Sequence, residues 1–324
     1  MHAIRQYEIG GPDVLRFEEV PDLSPAEGQV RLAVSASGVH VLDTYLRRGF
    51  TSPVHSPELP MTPGREVAGR IDAVGLGVDR EWLGKRIVAH LGQASGGYAE
   101  QAVARVESLH ELPDELSCAV AVAAIGTGRT ALGILELTEI GPDDIVLVTS
   151  AAGGLGVLLI QAARQAGATV VGLAGGSRKV SVASGQGAHI AVDYRVDGWD
   201  DMVRRELGGN VATVAFDAVG GEPGRAAYDL LAPGGRIVQY GWYSDEPPTY
   251  ADPERPALKL DGPAMLARPG GLRALEAEAL AHAAAGARVP LVGSTFALSD
   301  AAEAHRALEA RATHGKVVLI PDES

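Results

Sequence analysis

Residues 144–179, DIVLVTSAAGGLGVLLIQAARQAGATVVGLAGGSRK, admit few folds. An apolar β-branched run, Ile145 to Thr149, enters a glycine cluster at Gly153, Gly154 and Gly156. A helix-length segment reaches Gly167, and a second apolar run follows from Thr169 to Leu173. The pattern predicts strand, tight turn, helix, strand. Helical spacing places Leu155, Leu158, Leu159, Ala162 and Ala166 on one face, with Gln161, Arg164 and Gln165 off it. Such a unit suits a dinucleotide, because glycines let backbone N–H groups approach a pyrophosphate and the helix N-terminus presents partial positive charge.

Against G-x-G-x-x-G, the segment keeps the second and third glycines and carries Ala151 at the first. The motif is informative through its place between two strands, and the alternative is a glycine-rich turn that binds nothing. A site for the unphosphorylated cofactor usually ends its second strand with an acid for the ribose 2′-hydroxyl. No Asp or Glu occurs between Asp144 and Asp193; Gly175, Gly176, Ser177, Arg178 and Lys179 stand there instead. A small, cationic turn suits a 2′-phosphate, which points to NADPH. A solvated basic turn is the other reading.

With 324 residues and 46% hydrophobic content, the chain has material for two cored domains. Its net charge of −13 opposes nucleic acid and anionic membranes as partners. Cys118, the single cysteine, rules out an internal disulfide and a cysteine-rich metal lobe. The N-terminal residues lack the apolar core of a signal peptide, and no run approaches the ~20 apolar residues of a membrane span. The expectation is a cytoplasmic protein.

From Met1 to about Leu112, short strands broken by Gly, Pro and acidic turns predict an antiparallel, barrel-like module. Val30, Leu32 and Val34 alternate on one side of a strand over 29–36, and Val67 to Val74 is another β-like run. A helical turn is expected over Val41 to Gly49, before a proline-bearing loop. Alanine-rich helices follow at 119–124 and 129–137. Strands at 190–192, 211–216 and 236–240 and a helix at 224–231 then extend the α/β pattern to a parallel sheet of about six strands. Proline and charge suggest a surface excursion over 243–269. A helix at 272–287, a strand at 291–296, a helix at 299–311 and a strand at 316–320 close the chain.

The whole chain resembles the zinc-independent quinone oxidoreductase (ζ-crystallin-like) branch of the medium-chain dehydrogenase/reductase superfamily. The strings carrying the resemblance, in order, are MHAIRQYEIGGPDVLRFEEV, DTYLRRG, SGGYAE, SAAGGLG, VDYR, FDAVGG, APGGRIVQYG and EARATHGKVVLIP. It implies an α/β protein: a GroES-like β-barrel catalytic domain (1–115 with 288–324), a Rossmann doubly wound parallel-sheet domain (116–287), a cleft between them and a homodimer. It also implies NADPH-dependent hydride delivery to a small-molecule electron acceptor, a quinone or other α,β-unsaturated carbonyl. An enoyl-thioester or biosynthetic-intermediate reductase, and a non-catalytic NADPH-binding protein, are the alternatives.

The cofactor-binding set implied is Thr130, Ala152, Gly153, Gly154, Leu155, Ser177, Arg178, Lys179, Tyr194, Val219, Gly241 and Arg311. Lys179, Tyr194 and Arg311 would surround the 2′-phosphate, Gly153 and Gly154 the pyrophosphate, and Gly241 the nicotinamide side. Strand-end packing for Tyr194, a helix C-terminal charge for Arg311 and helix packing for Thr130 remain open. Zinc-containing relatives carry an early cysteine, a Gly-His-Glu motif and a four-cysteine lobe, since zinc takes thiolate and imidazole ligands. Here Ser37 has no cysteine nearby and the motif reads Gly64, Arg65, Glu66, so no metal is expected.

Tyr45 and His40 are the candidate catalytic donors. The phenol of Tyr45 would donate to the carbonyl oxygen. His40 stands where these reductases carry asparagine. It could hold the substrate oxygen, donate a proton near neutral pH, or be a hydrogen-bonded core histidine. Asp43 reads as a helix-terminus cap before a catalyst. Trp242 and Tyr243 are candidates for an aromatic wall beside a flat acceptor.

Overall fold

Apolar alternation folds as its period requires: along Gln29–Val39, Val30, Leu32 and Val34 are buried while Ala33 and Ser35 lie less covered. The computed structural model describes all residues except 52–57, 93–94, 210, 242–249, 251, 261 and 323–324, with only the backbone of 262–264. Two compact units result, Met1–Thr127 with Glu276–Ser324, and Gly128–Leu275.

The elements, in order, are β1 (His2–Gln6), β2 (Leu15–Glu19), β3 (Gln29–Val39), α1 (Val41–Arg47), β4 (Glu66–Val74), β5 (Arg86–His90), β6 (Gln101–Arg105), β7 (Leu109–Glu111) and α2 (Cys118–Ala123). The second unit adds α3 (Arg129–Leu135), β8 (Ile145–Thr149), α4 (Gly154–Gln165), β9 (Thr169–Ala174), α5 (Ser177–Gly185), β10 (Ile190–Asp193), α6 (Trp199–Glu206), β11 (Ala212–Asp217), α7 (Gly221–Asp229), β12 (Leu231–Gln239), β13 (Ala257–Lys259) and α8 (Gly262–Ala267). The chain then runs through α9 (Gly271–Ala284), β14 (Val292–Ala297), α10 (Ala301–Glu309) and β15 (Lys316–Ile320).

In the first unit β1 and β2 form a hairpin beside a sheet ordered β14-β15-β3-β4-β5-β7, with β6 on β3. The sheet is antiparallel except for β14 and β15, which run parallel because α10 carries the chain back between them. The sequence-based joins fell at 115/116 and 287/288. The contacts place them at 127/128 and 275/276, since Ala121, Val122, Leu280 and Ala283 share a core with Ala36, Ala68, Val88 and Val318.

The second unit is a six-stranded sheet, β10-β9-β8-β11-β12-β13, parallel throughout. The order reverses between β8 and β11, and α4 packs Leu159, Ile160 and Ala163 onto the sheet core. Sequence reading differs in two places. The described part of the expected excursion contains β13 and α8, because Ala257–Lys259 completes the sheet edge beside β12. The two expected alanine-rich helices are one run, α2 and α3 joined by a π turn at Ala124–Gly128. That 18-residue run has the length and apolarity of a membrane span, but 67% of it is buried as core.

Candidate active site

The carboxyl ends of a parallel sheet, at the point where strand order reverses, are where such folds take ligands. β8 ends there. Ser150 adopts φ 51°, the Gly153 N–H donates to the Ser150 carbonyl at 2.8 Å, and α4 opens with Gly153 as N-cap. The first intrahelical bond is Val157 N–H to Gly153 O, so the N–H groups of Gly154, Leu155 and Gly156 precede the helical ladder. A Cβ on Gly156 would overlap the Ser150 carbonyl oxygen and stand 2.9 Å from Ala151 Cα, so only glycine lets helix and turn approach this closely. Ala151 and Ala152 are buried beneath, whereas Gly153, Gly154 and Leu155 keep some exposure.

Neighbouring strand ends complete the edge. Gly176, at φ 102°, caps α5, whose first turn is Ser177, Arg178 and Lys179. Tyr194 follows β10 and covers Gly175, its hydroxyl 3.0 Å from where a Cβ would stand. Beyond β11, buried Asp217 accepts from Thr149 Oγ1 (2.8 Å) and from the Val219 N–H (3.0 Å), tying the β8 and β11 ends together. Val219 is thus a buried part of that loop, and Gly241, after β12, lies 3.8 Å from Ala218 Cα by its would-be Cβ. Thr130 sits in the first turn of α3. Arg311 belongs to the other unit, in a left-handed conformation (φ 54°) after α10. Trp242 and Tyr243 lie outside the described residues.

Sequence reasoning missed Arg195. Its guanidinium lies where a Gly176 side chain would be, and it holds Asp193 through Nε and Nη2 at 3.2 Å each. The Asp193 carboxyl is lowered first by this side-chain bond, so the nearest acid to the α5 turn is already paired with a cation. Its adjacency to Tyr194 in the VDYR string was the available signal.

The first unit holds a second polar centre. His40 caps α1, and the Asp43 carboxylate accepts its N–H at 2.8 Å, the capping role expected of Asp43. The imidazole Nε2 stands 2.6 Å from Glu66 Oε1, and Lys316 Nζ 2.7 Å from Glu66 Oε2. Glu66 and Lys316 are buried, while the His40 side chain keeps 25% exposure. Burial pushes the Glu66 carboxyl up, yet His40 and Lys316 outweigh it and hold the group well below the usual carboxylate range. Burial lowers Lys316, with Glu66 opposing. Tyr45, half-buried on α1, packs against Phe50 (ring centroids 6.4 Å apart) beneath the Arg48 guanidinium.

A further buried chain crosses this unit. Arg47 can only donate, so Nδ1 of His305, 3.1 Å from Arg47 Nη1, is an acceptor and Nε2 carries the proton. Nε2–H then donates to Tyr98 Oη (3.2 Å), whose hydroxyl donates to Asp43 Oδ2 (3.1 Å). Asp43 also stands 3.6 Å from Arg65 Nε.

Residues 26–114 match the family of alcohol dehydrogenase GroES-like domains, and residues 186–319 the family of zinc-binding dehydrogenases. A 2-haloacrylate reductase of Burkholderia sp is 34% identical, with 97% of each chain covered. The structure of Escherichia coli quinone oxidoreductase complexed with NADPH superposes with a TM-score of 0.85 at 29% identity, covering 99% of this chain and 100% of that one. An NAD-dependent alcohol dehydrogenase structure gives 0.86 at 30% identity, with the same coverages. The chain belongs to the quinone oxidoreductase-like branch of the medium-chain dehydrogenase/reductase superfamily.

Within that superfamily, zinc is tested against the residues present. Glu66 is engaged by His40 and Lys316, Arg65 has no lone pair to give, and Ser37 Oγ donates to the Glu66 carbonyl at 3.1 Å. Among the described residues no group of three or more His, Cys, Asp or Glu side chains is disposed around one point. The donor set does not fit zinc. A dinucleotide fits better: the glycine turn after β8 is a cradle that side chains would fill.

Proposed function

We propose that this oxidoreductase uses NADPH, without zinc, to reduce a quinone or another α,β-unsaturated carbonyl. The observation that carries the cofactor choice is the α5 turn, where Ser177, Arg178 and Lys179 follow a strand end without an acid and Arg195 lies over Gly176. Arg178, Lys179, Tyr194 and Arg311 are assigned to the 2′-phosphate, and the N–H groups of Gly154 and Leu155 to the pyrophosphate. Thr130, Ala152, Gly153, Val219 and Gly241 line the remainder of the cofactor.

Bound NADPH supplies a hydride. Tyr45 and His40 hydrogen-bond the carbonyl oxygen that gains charge, and an enolate, far less basic than an alkoxide, forms without a Lewis acid. The Burkholderia relative supports this acceptor class, since a haloacrylate is by name an alkene conjugated to a carboxylate. Catalysis as a homodimer in the cytoplasm belongs to the same reading.

The test is oxidation of NADPH and of NADH against 1,4-benzoquinone, 2-cyclohexenone and crotonyl-CoA. NADPH turnover with quinone or enone is expected. A preference for NADH overturns the cofactor assignment, and turnover with crotonyl-CoA alone makes the enoyl-thioester reading the correct one.

A further inference from the structure

The end of β10 lies against the end of β9, because Asp193 pairs with Ala174 in the parallel ladder and the Tyr194 N–H donates to the Ala174 carbonyl at 3.1 Å. Arg195, the next residue, therefore comes abreast of Gly176, the N-cap of α5. Its guanidinium carbon stands 3.0 Å from where a Gly176 Cβ would be, and Gly176 holds φ 102°. The glycine leaves that space to the guanidinium.

Asp193 fixes it there. One carboxylate oxygen accepts from the Arg195 backbone N–H (3.0 Å) and from Nε (3.2 Å), and the other accepts from Nη2 (3.2 Å). The same carboxylate accepts from the Gly176 N–H, so one acid holds both the guanidinium and the N-cap of α5. A guanidinium carries five N–H donors and this fork uses two, which leaves three. The Arg195 side chain keeps 62% exposure, so a ligand at the turn can reach them. An ion pair this exposed contributes little to stability, and its removal leaves the fold in place.

We propose that Arg195 is a direct ligand of the adenosine 2′-phosphate and that Asp193 is its positioning residue. The proposal rests on the NADPH assignment given above and extends it to a residue of the neighbouring strand end. In a βαβ dinucleotide unit the adenosine ribose lies at the end of the second strand, here β9, where an acid holds a 2′-hydroxyl or a nearby arginine takes a 2′-phosphate. Arg195 reaches that end from β10. Its planar fork suits two phosphate oxygens at once, which the point charge of a lysine ammonium does not.

Selectivity then sits in the pair rather than in either member. Asp193 is the first acid after Asp144 in the sequence. Covered by Arg195, its charge is neutralised next to the phosphate; bared, it becomes an anion that repels the phosphate.

Equilibrium titration with adenosine 2′,5′-bisphosphate and adenosine 5′-monophosphate, beside NADPH and NADH, reads this without turnover. Arg195→Gln should raise the Kd of NADPH and of the bisphosphate at least about tenfold, the loss of hydrogen bonds to a charged group, and leave NADH and the monophosphate unchanged. Arg195→Gln with Asp193→Asn should recover part of that loss, because the bared anion is gone. With Arg195 present, Asp193→Asn removes chiefly the holder, and the bisphosphate should weaken by roughly two- to fivefold, the cost of ordering one long side chain on binding. A loss shared equally by phosphorylated and unphosphorylated ligands, or no loss, overturns Arg195 as a ligand. Tighter bisphosphate binding in Asp193→Asn overturns Asp193 as its positioning residue. A parent protein that binds the monophosphate as tightly as the bisphosphate overturns the NADPH assignment itself, and the proposal with it.

Discussion

Gly126 lies directly against Glu66, so closely that the smallest side chain at 126 would occupy the space of the carboxylate oxygen. Glu66 cannot retreat, because Gly38 and Lys316 close its other side. Gly126→Ala therefore forces the buried ion pair apart. Loss of about 1–3 kcal/mol is expected, the usual cost of overpacking a tight interior. Urea unfolding measures it, and a variant as stable as the parent would show that the π turn can relax.

His305 gives the protein a pH-dependent stability. Burial, reinforced by Arg47 and opposed by Asp43, lowers its pKa to about 4, against about 6.5 in an unfolded chain. Between those values the unfolded state binds the extra proton, so stability rises with pH across the interval and is complete above it. The difference is on the order of 3 kcal/mol. Chemical denaturation from pH 4 to 7 should show that slope, and His305→Gln should flatten it. A slope unchanged in the variant would assign the acid sensitivity elsewhere.

Periodicity made the fold legible. β8 and β15 match their apolar runs residue for residue, because each is a buried strand whose edges are turns. The π turn was not legible, since Ala124–Gly128 reads as ordinary helix or as a break between helices and its cause is a contact with Glu66 far away in sequence. The same limit applied to the polar centres. Asp43 as a cap was readable from local spacing. The partnerships of His40 with Glu66 and of Glu66 with Lys316 join residues of two strands and a helix cap, which no local pattern specifies. Arg195 was overlooked because its role depends on the space above Gly176.

Lys179 tests the cofactor assignment from the second unit. Lys179→Glu places an anion in the first turn of α5, where the 2′-phosphate is assigned, and should weaken NADPH binding at least about tenfold while changing NADH binding much less. Fluorescence titration of both reduced cofactors measures this. Equal loss for the two would remove Lys179 from phosphate recognition.

Tyr45 is tested by removing only its hydroxyl. Tyr45→Phe keeps the ring against Phe50 and Arg48, so stability and NADPH affinity should stay as they are. Turnover of 2-cyclohexenone should fall by roughly ten- to a hundredfold, the cost of one hydrogen bond to developing charge. Full activity would take Tyr45 out of the reaction.

Arg311 separates stability from function. A non-glycine residue at φ 54° holds a conformation that costs roughly 1–2 kcal/mol, and such strain persists at functional positions. Arg311→Gly relieves it, offset in part by the greater freedom of glycine in the unfolded chain. Stability should therefore hold or rise by up to about 1 kcal/mol. If the guanidinium reaches the 2′-phosphate, the same variant loses NADPH affinity but keeps NADH affinity. Thermal denaturation and cofactor titration on one sample decide it: a stable variant with unchanged NADPH binding would leave Arg311 as a helix-end charge only.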